Sequence, residues 1–365
     1  MFFRRIIFLA AVVFVCRYSF AVERHRPFFS AARALAMGDA FTAYGQGFES
    51  VYYNPAGVAR KGAASFKYID FEIAGSYSVY SYIQDNLMTF YHLSQLANNL
   101  AARPDVVHSM SFSYAPQILT KNFSFGLLFK SYQEGLVDSS ALNFDYFGTT
   151  DLALFLHYGV SFMGGVLKLG VGAKALDRAE LNRIYTPAEY ASGGLSFTTQ
   201  WQEGIGYGLD AGVLLTAPVS GLPAFGIAVE DAGDTKLLDR RVLWTGSKGV
   251  PGAPPSLKQR VNTGVGFTVK HAAGVKSNID FDFKDVLHAS TGSKLERFHA
   301  GWEFEYERFL TLRAGVNQGV YWTAGLGLRL AGFSLELATW GENLYVYTGL
   351  TRAVRMYAGR YVLSF

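Results

Sequence analysis

After its first sixty or so residues the chain is written largely at period two. From Ile205, positions 205, 207, 209, 211, 213 and 215 read Ile-Tyr-Leu-Ala-Val-Leu, while 204, 206, 208, 210 and 212 read Gly-Gly-Gly-Asp-Gly. Ile279, Phe281 and Phe283 share one face against Asn278, Asp280, Asp282 and Lys284. Glu296, Phe298, Ala300, Trp302, Phe304 and Tyr306 oppose Arg297, His299, Gly301, Glu303 and Glu305. Such alternation belongs to strands whose two faces meet different surroundings. Beyond residue 21 no uninterrupted apolar run reaches the roughly 18 residues that a membrane helix needs,.

A soluble sandwich alternates as well, and two features decide against it. One face is aliphatic and aromatic in nearly every segment while the other is small or charged, which is inside-out for a soluble barrel of this size. The segments also run to about ten residues or more, the length at which a tilted strand crosses a bilayer. The expected fold is therefore all-β, a transmembrane antiparallel β-barrel of about 14 strands, even in number as in bacterial single-chain barrels. Strands are placed near 63–80, 107–116, 122–133, 149–162, 166–177, 204–216, 224–231, 260–271, 275–286, 295–307, 309–317, 320–331, 333–341 and 351–365. Short turns (117–121, 163–165, 272–274, 307, 331–332) alternate with longer loops (134–148, 178–203, 232–259). Short periplasmic turns and long external loops give that asymmetry.

The first 21 residues read as a cleaved signal peptide. Arg4 and Arg5 form its basic start, Ile6 to Val15 its apolar stretch and Ser19-Phe20-Ala21 its cleavage site,. Cys16, the only cysteine, lies within it, so disulfides, thiolate metal sites and cysteine catalysis are excluded from the mature chain,. Loss of Arg4, Arg5 and Arg17 takes the formal charge from +4 to +1, and no basic stripe remains for nucleic acid,. The last strand ends with Tyr361, Leu363 and Phe365 on one face, an aromatic terminus that resembles the assembly signal of outer-membrane barrels and implies the barrel-assembly machinery as a partner.

Between leader and strands lies Ser30 to Gly62, short and rich in Ala and Gly. Ala32-Arg33-Ala34-Leu35-Ala36-Met37-Gly38-Asp39-Ala40-Phe41-Thr42-Ala43, followed by Tyr52-Tyr53-Asn54-Pro55-Ala56-Gly57, resembles the amino-terminal signature of the FadL-type outer-membrane long-chain fatty-acid transporters and their PorV-like relatives. The chain departs from that pattern at Asp39, where Gly is frequent. The resemblance implies domains of 22–62, a hatch or plug, and 63–365, the outer-membrane barrel. It implies transport of long-chain fatty acids or similar hydrophobic molecules, with lateral release past the hatch, or else a PorV-like structural partner for secreted proteins or adhesin. A monomer surrounded by outer-membrane lipid, with no cofactor and no enzymatic activity, goes with either.

Fourteen strands enclose more space than side chains fill, so a plug suits the architecture. Gly38, Asn54, Pro55 and Ala56 are its expected structural positions, Asn54 capping a helix that opens with Pro55. Arg24 and Arg26 are expected to pair with a ligand carboxylate, with Phe28 and Phe29 lining its chain; the same residues also read as a plain basic terminus after a cleavage site. Residues 84–103 form the one helical pattern outside the plug, stopped by Pro104. With Phe90 and Tyr91 it serves as a lid on the mouth or as one wall of an apolar entry groove.

Other motifs carry less. Gly170-Val171-Gly172-Ala173-Lys174-Ala175 matches part of a dinucleotide fingerprint, but alternation continues where a helix is required, so these glycines are read as facing a crowded lumen. The seven histidines are scattered and His157 reads as a lumen polar group rather than a metal ligand. Inward Asp210, Asp280, Asp282 and Glu336 are expected to neutralise Lys130, Lys168, Arg313 or Arg329.

Overall fold

A computed structural model describes residues 28–44, 47–59, 64–80, 93–193, 195, 200–272, 274–287, 294–345 and 351–365. Every expected strand segment contains a strand. In chain order they are β1 (Ser65–Ser76), β2 (His108–Tyr114, resumed at Gln117–Leu119), β3 (Phe123–Val137), β4 (Phe144–Phe162), β5 (Leu167–Tyr185), β6 (Gln202–Thr216) and β7 (Ala224–Glu230). The second half holds β8 (Arg260–Ala272), β9 (Val275–Phe283), β10 (Phe298–Tyr306), β11 (Leu310–Asn317), β12 (Tyr321–Leu330), β13 (Phe333–Tyr345) and β14 (Thr351–Ser364). Each strand pairs antiparallel with its neighbours in sequence, and β14 also pairs with β1, closing a 14-stranded ring. Phe365 completes the seam: it and Phe66 exchange two backbone hydrogen bonds, of 2.8 and 2.9 Å.

The faces are inside-out, as the alternation requires of a transmembrane barrel. Along β1 the outward residues Phe66, Tyr68, Phe71 and Ile73 are exposed, while Lys67, Asp70 and Glu72 are buried inward. The register of β1 shifts between Lys67 and Ile69, which lets Lys67 and Asp70, three residues apart, face the same way,. Leu154, Leu156 and Tyr158 on β4, Tyr207 and Leu209 on β6, and Trp302 on β10 continue the apolar belt. Among the described residues no helix is long and apolar enough to cross a membrane.

Three expectations change. The loop at 134–148 shrinks to 138–143, and β5 runs on to Tyr185 rather than ending near 177. These extensions lose the two-face contrast because both faces find cover. Val137, Phe144, Tyr146, Leu181 and Tyr185 pack with Trp201 and with Leu96, Ala97 and Leu100 of an outer helix. The described part of that helix is Leu93–Ala101, which ends before Pro104 as expected; Phe90 and Tyr91 lie outside the described residues, as do Arg24 and Arg26. Finally, β2 is interrupted at Ala115-Pro116, where Pro116 has no N–H to give, and it resumes where a turn was expected,. The Ala115 N–H donates to the Asp70 carbonyl (2.9 Å) and the Pro116 carbonyl accepts from Leu127 (3.1 Å), so the wall stays bonded around the break.

An arginine in place of outward Leu156, near the middle of β4, is expected to lower folding stability in bilayers by about 2–4 kcal/mol. Denaturant titration in vesicles measures it; an unchanged midpoint would place this face away from lipid.

Candidate functional site

The lumen is filled by residues 28–59, of which 45 and 46 are not described. The segment contributes two short helices, α1 (Ala32–Ala36) and α2 (Ser50–Tyr53), and a 3₁₀ turn (Pro55–Val58). α1 lies against the inner faces of β11 to β14, and the 3₁₀ turn against β4, β5 and β6, so the plug bridges opposite sides of the ring.

Close approach explains the glycines of the inner wall. A Cβ on Gly212 would lie 2.0 Å from Asn54 Oδ1, one on Gly170 would lie 2.2 Å from the Pro55 carbonyl carbon, and one on Gly301 would lie 2.3 Å from the Met37 oxygen. No side chain fits there unless the plug moves, which is the crowding inferred for Gly170. Gly172 faces His157 instead. Asn54 both caps and anchors: Oδ1 accepts from Ala56 N at 3.0 Å, and Nδ2 donates to the Thr42, Val213 and Ile227 carbonyls at 3.0, 3.1 and 3.3 Å.

Gly38 and Asp39 both have φ of 64°, a left-handed pair that turns the chain out of α1. Asp is among the few residues that tolerate this region, which accounts for its presence where glycine is frequent. Its carboxylate accepts from Tyr53 Oη at 2.9 Å and pairs with Lys284. The Gly38 N–H donates to Thr323 Oγ1 at 3.0 Å, and that hydroxyl donates to the Ala36 carbonyl at 2.8 Å.

Two buried ionic webs hold the plug. Arg33 makes a two-pronged pair with Glu303 on β10, both contacts at 2.9 Å, and Glu303 also accepts from Arg313 Nε at 2.7 Å and Tyr44 Oη at 2.9 Å. Arg313 in turn binds Glu336. In the second web Glu49 of the plug meets Arg360 at 2.7 Å, and Arg360 forks onto Asp70 at 2.6 and 2.7 Å, with Lys67 alongside. Asp282 accepts from Phe41 N, Thr42 N and Thr42 Oγ1 at 2.8, 2.9 and 2.7 Å. Burial opposes the charge on Glu49, yet Arg360, Arg33 and Lys67 outweigh it and hold the carboxyl well below its usual range,. The tie is therefore complete above about pH 5 and is lost on acidification through the folded-state value.

The expected lumen pairing is corrected in part. Glu336 does bind Arg313, but Asp210 pairs with Lys174 and Asp282 serves the plug backbone. Lys130 reaches the Phe28 carbonyl and Ser30 Oγ at 3.5 and 3.4 Å. Arg33 and Glu49 were not singled out from the sequence, although a lone arginine in an Ala-rich stretch was a usable signal. Among the described residues no cluster of three or more potential ligands could hold a metal ion.

A cavity of about 100 Å³ meets Ala43 and Tyr44 of the plug, and two others bear on the site. The larger, about 240 Å³ toward the long-loop end, has a mixed lining, with Lys130, Glu134, Asp151 and Arg178 on its walls beside Leu35, Trp340 and Met356. The smaller, about 90 Å³, meets the front of the plug. Phe28, Phe29, Tyr52, Tyr53 and Phe155 line one side of it, with Phe29 stacked on Tyr52 at 3.7 Å. Lys174, Arg260 and Lys284 stand on the other among Asp39, Asp210, Glu230, Asp231 and Asp285. Phe28 also joins an inward apolar cluster with Ala115, Leu128, Ala153, Phe155 and Leu176.

The fold recurs in solved structures. CymD, a monoaromatic hydrocarbon channel, aligns at TM-score 0.54 with 10% identity over 92% of this chain and 97% of its own. The P. putida toluene transporter TodX aligns at 0.51 with 11% identity, over 93% and 99%. The Ralstonia pickettii toluene transporter TbuX aligns at 0.50 with 13% identity, over 92% and 98%. The chain shares the fold of these channels and transporters. No family model matches it, and no curated protein matches it by sequence. At such identities the likeness is one of fold.

Gly212→Val is expected to displace the plug around Asn54 and turn a closed barrel into a leaky one. Planar-bilayer recording would show ion conductance at least about tenfold above wild type; equal conductance would mean the glycine does not make room for the plug.

Proposed function

We propose that the chain carries small uncharged hydrophobic molecules across an outer membrane. The cargo enters at the long-loop mouth, rests against the aromatic front of the plug and leaves sideways into the bilayer. The observation that carries this reading is the inward apolar cluster around Phe28, which borders the smaller cavity through Phe28 and Phe155. Burial there favours a hydrophobic solute by about 0.8 kcal/mol per CH₂. Ala115, in the break in β2, belongs to the same cluster, which supports that break as the point of exit.

The long-chain fatty acids implied by the resemblance fit less well. Each cation on the small cavity is already engaged, Lys174 by Asp210 and Asp231, Arg260 by Glu230 and Lys284 by Asp39. Carboxylates there outnumber cations, so a carboxylate ligand meets repulsion rather than a partner,. The cargo named for TodX and TbuX, toluene, belongs to the uncharged class. A docking role for secreted proteins would leave the lumen cluster without a task.

Cells expressing the chain in their outer membrane are expected to take up radiolabelled toluene faster than control cells, with oleate uptake unchanged. Phe28→Glu is expected to cut toluene uptake about tenfold while the barrel stays folded. Faster uptake of oleate alone would contradict the assignment.

A further inference from the structure

His157, the polar lumen group of β4, makes no hydrogen bond with the plug or the ionic webs. It is 3% exposed and lines the smaller cavity beside Phe155. Its ring fits because its cross-strand neighbour on β5 is Gly172, where a Cβ would lie 2.6 Å from His157 Cδ2 and 3.0 Å from Nε2. Neither ring nitrogen meets a hydrogen-bond partner among the described residues.

The groups placed to serve it are engaged elsewhere. Ser124, its neighbour on β3, accepts from Gln117 Nε2 at 2.7 Å. Asp210, which borders the space over Gly172, accepts from Lys174 at 2.9 Å and from the Asp231 N–H at 2.8 Å. On the cavity itself Lys174, Arg260, Lys284, Tyr53 and Asn262 are all matched by carboxylates. Around His157 the wall is aromatic, with ring centroids of Phe155 at 5.6 Å and Tyr52 at 6.0 Å. A buried polar group without a partner is costly, and one kept on the wall of a cavity points to a partner that the cavity receives.

We propose that the cargo held there is a hydroxylated single-ring aromatic, its ring among Phe28, Phe29, Tyr52 and Phe155 and its hydroxyl on His157. This rests on the function proposed above and narrows its cargo class. A hydroxyl both donates and accepts, so it matches an imidazole nitrogen in either tautomer. It also keeps the cargo uncharged, which suits a cavity whose other side is rich in carboxylates. A plain hydrocarbon fills the aromatic side equally well and leaves His157 unmatched, and a site with a buried hydrogen-bonding group discriminates against such a ligand.

The test is isothermal titration calorimetry of the whole barrel in detergent with p-cresol and with toluene, which differ by that hydroxyl alone. Phe28→Glu serves as the reference for partition into micelles. The barrel is expected to bind p-cresol about tenfold more tightly than toluene. His157→Phe is expected to bring the two affinities together, and His157→Gln, which again offers a donor and an acceptor, to restore most of the preference. Heat-modifiable gel migration reports the folding of each variant. Equal affinities in the wild type, or a preference that survives in folded His157→Phe, overturn the hydroxyl assignment while the proposed function stands. Heats no larger than those of Phe28→Glu for both ligands overturn the proposed function and this assignment with it.

Discussion

A buried charge must find an opposite charge or enough hydrogen bonds, and the inner wall of this barrel leaves several of its charges to be matched by another part of the chain. Glu303, Asp282 and Arg360 stand on strands far from residue 50 in sequence, yet their partners include Arg33, the Phe41 and Thr42 amides, and Glu49. Removing one member of such a set strands the rest, at about 3–5 kcal/mol for a buried pair. The ring and its stopper are thus one electrostatic unit. The glycines of the wall serve the same end by sterics, because the plug backbone occupies the space their side chains would take.

Under the proposed function, this division of labour separates the holding of the plug from the accommodation of a hydrophobic solute. The webs seal α1 and α2 against β1 and β10 to β14, while the front of the plug ends among aromatic rings and aliphatic side chains on β3 to β5. The charged regions hold the plug, and the apolar region is where the proposed uncharged solute would rest. Asp39 belongs to both, since it secures the turn after α1 through Lys284 and Tyr53 and also lines the two cavities.

Much of the fold was legible because lipid imposes so simple a rule. Wherever one face meets hydrocarbon and the other the lumen, alternation survives, and strands such as β6 and β9 could be placed to within a few residues. It failed where that rule lapses. Beyond the bilayer, Phe144, Tyr146 and Tyr185 are covered on both sides by the outer helix and its neighbours, so strand there reads like loop. The Ala115-Pro116 break looked like the end of β2 because a proline seldom lies inside a strand. In the site, Asn54 was legible since capping is local. The Arg33–Glu303 pair was not: 270 residues separate its members, and only closure of the ring brings them together.

The central claim is that residues 28–59 occupy the bore of the folded barrel. It is tested most directly by a cysteine pair, since the chain has no cysteine other than Cys16. Ala43 Cβ lies 3.4 Å from where a Cβ on Gly266 of β8 would stand, close to the spacing of a disulfide,. In membranes, Ala43→Cys with Gly266→Cys should cross-link on mild oxidation and give a gel mobility shift that reductant reverses. A heat-modifiable, folded barrel whose two thiols stay free and react fully with a maleimide would contradict the account.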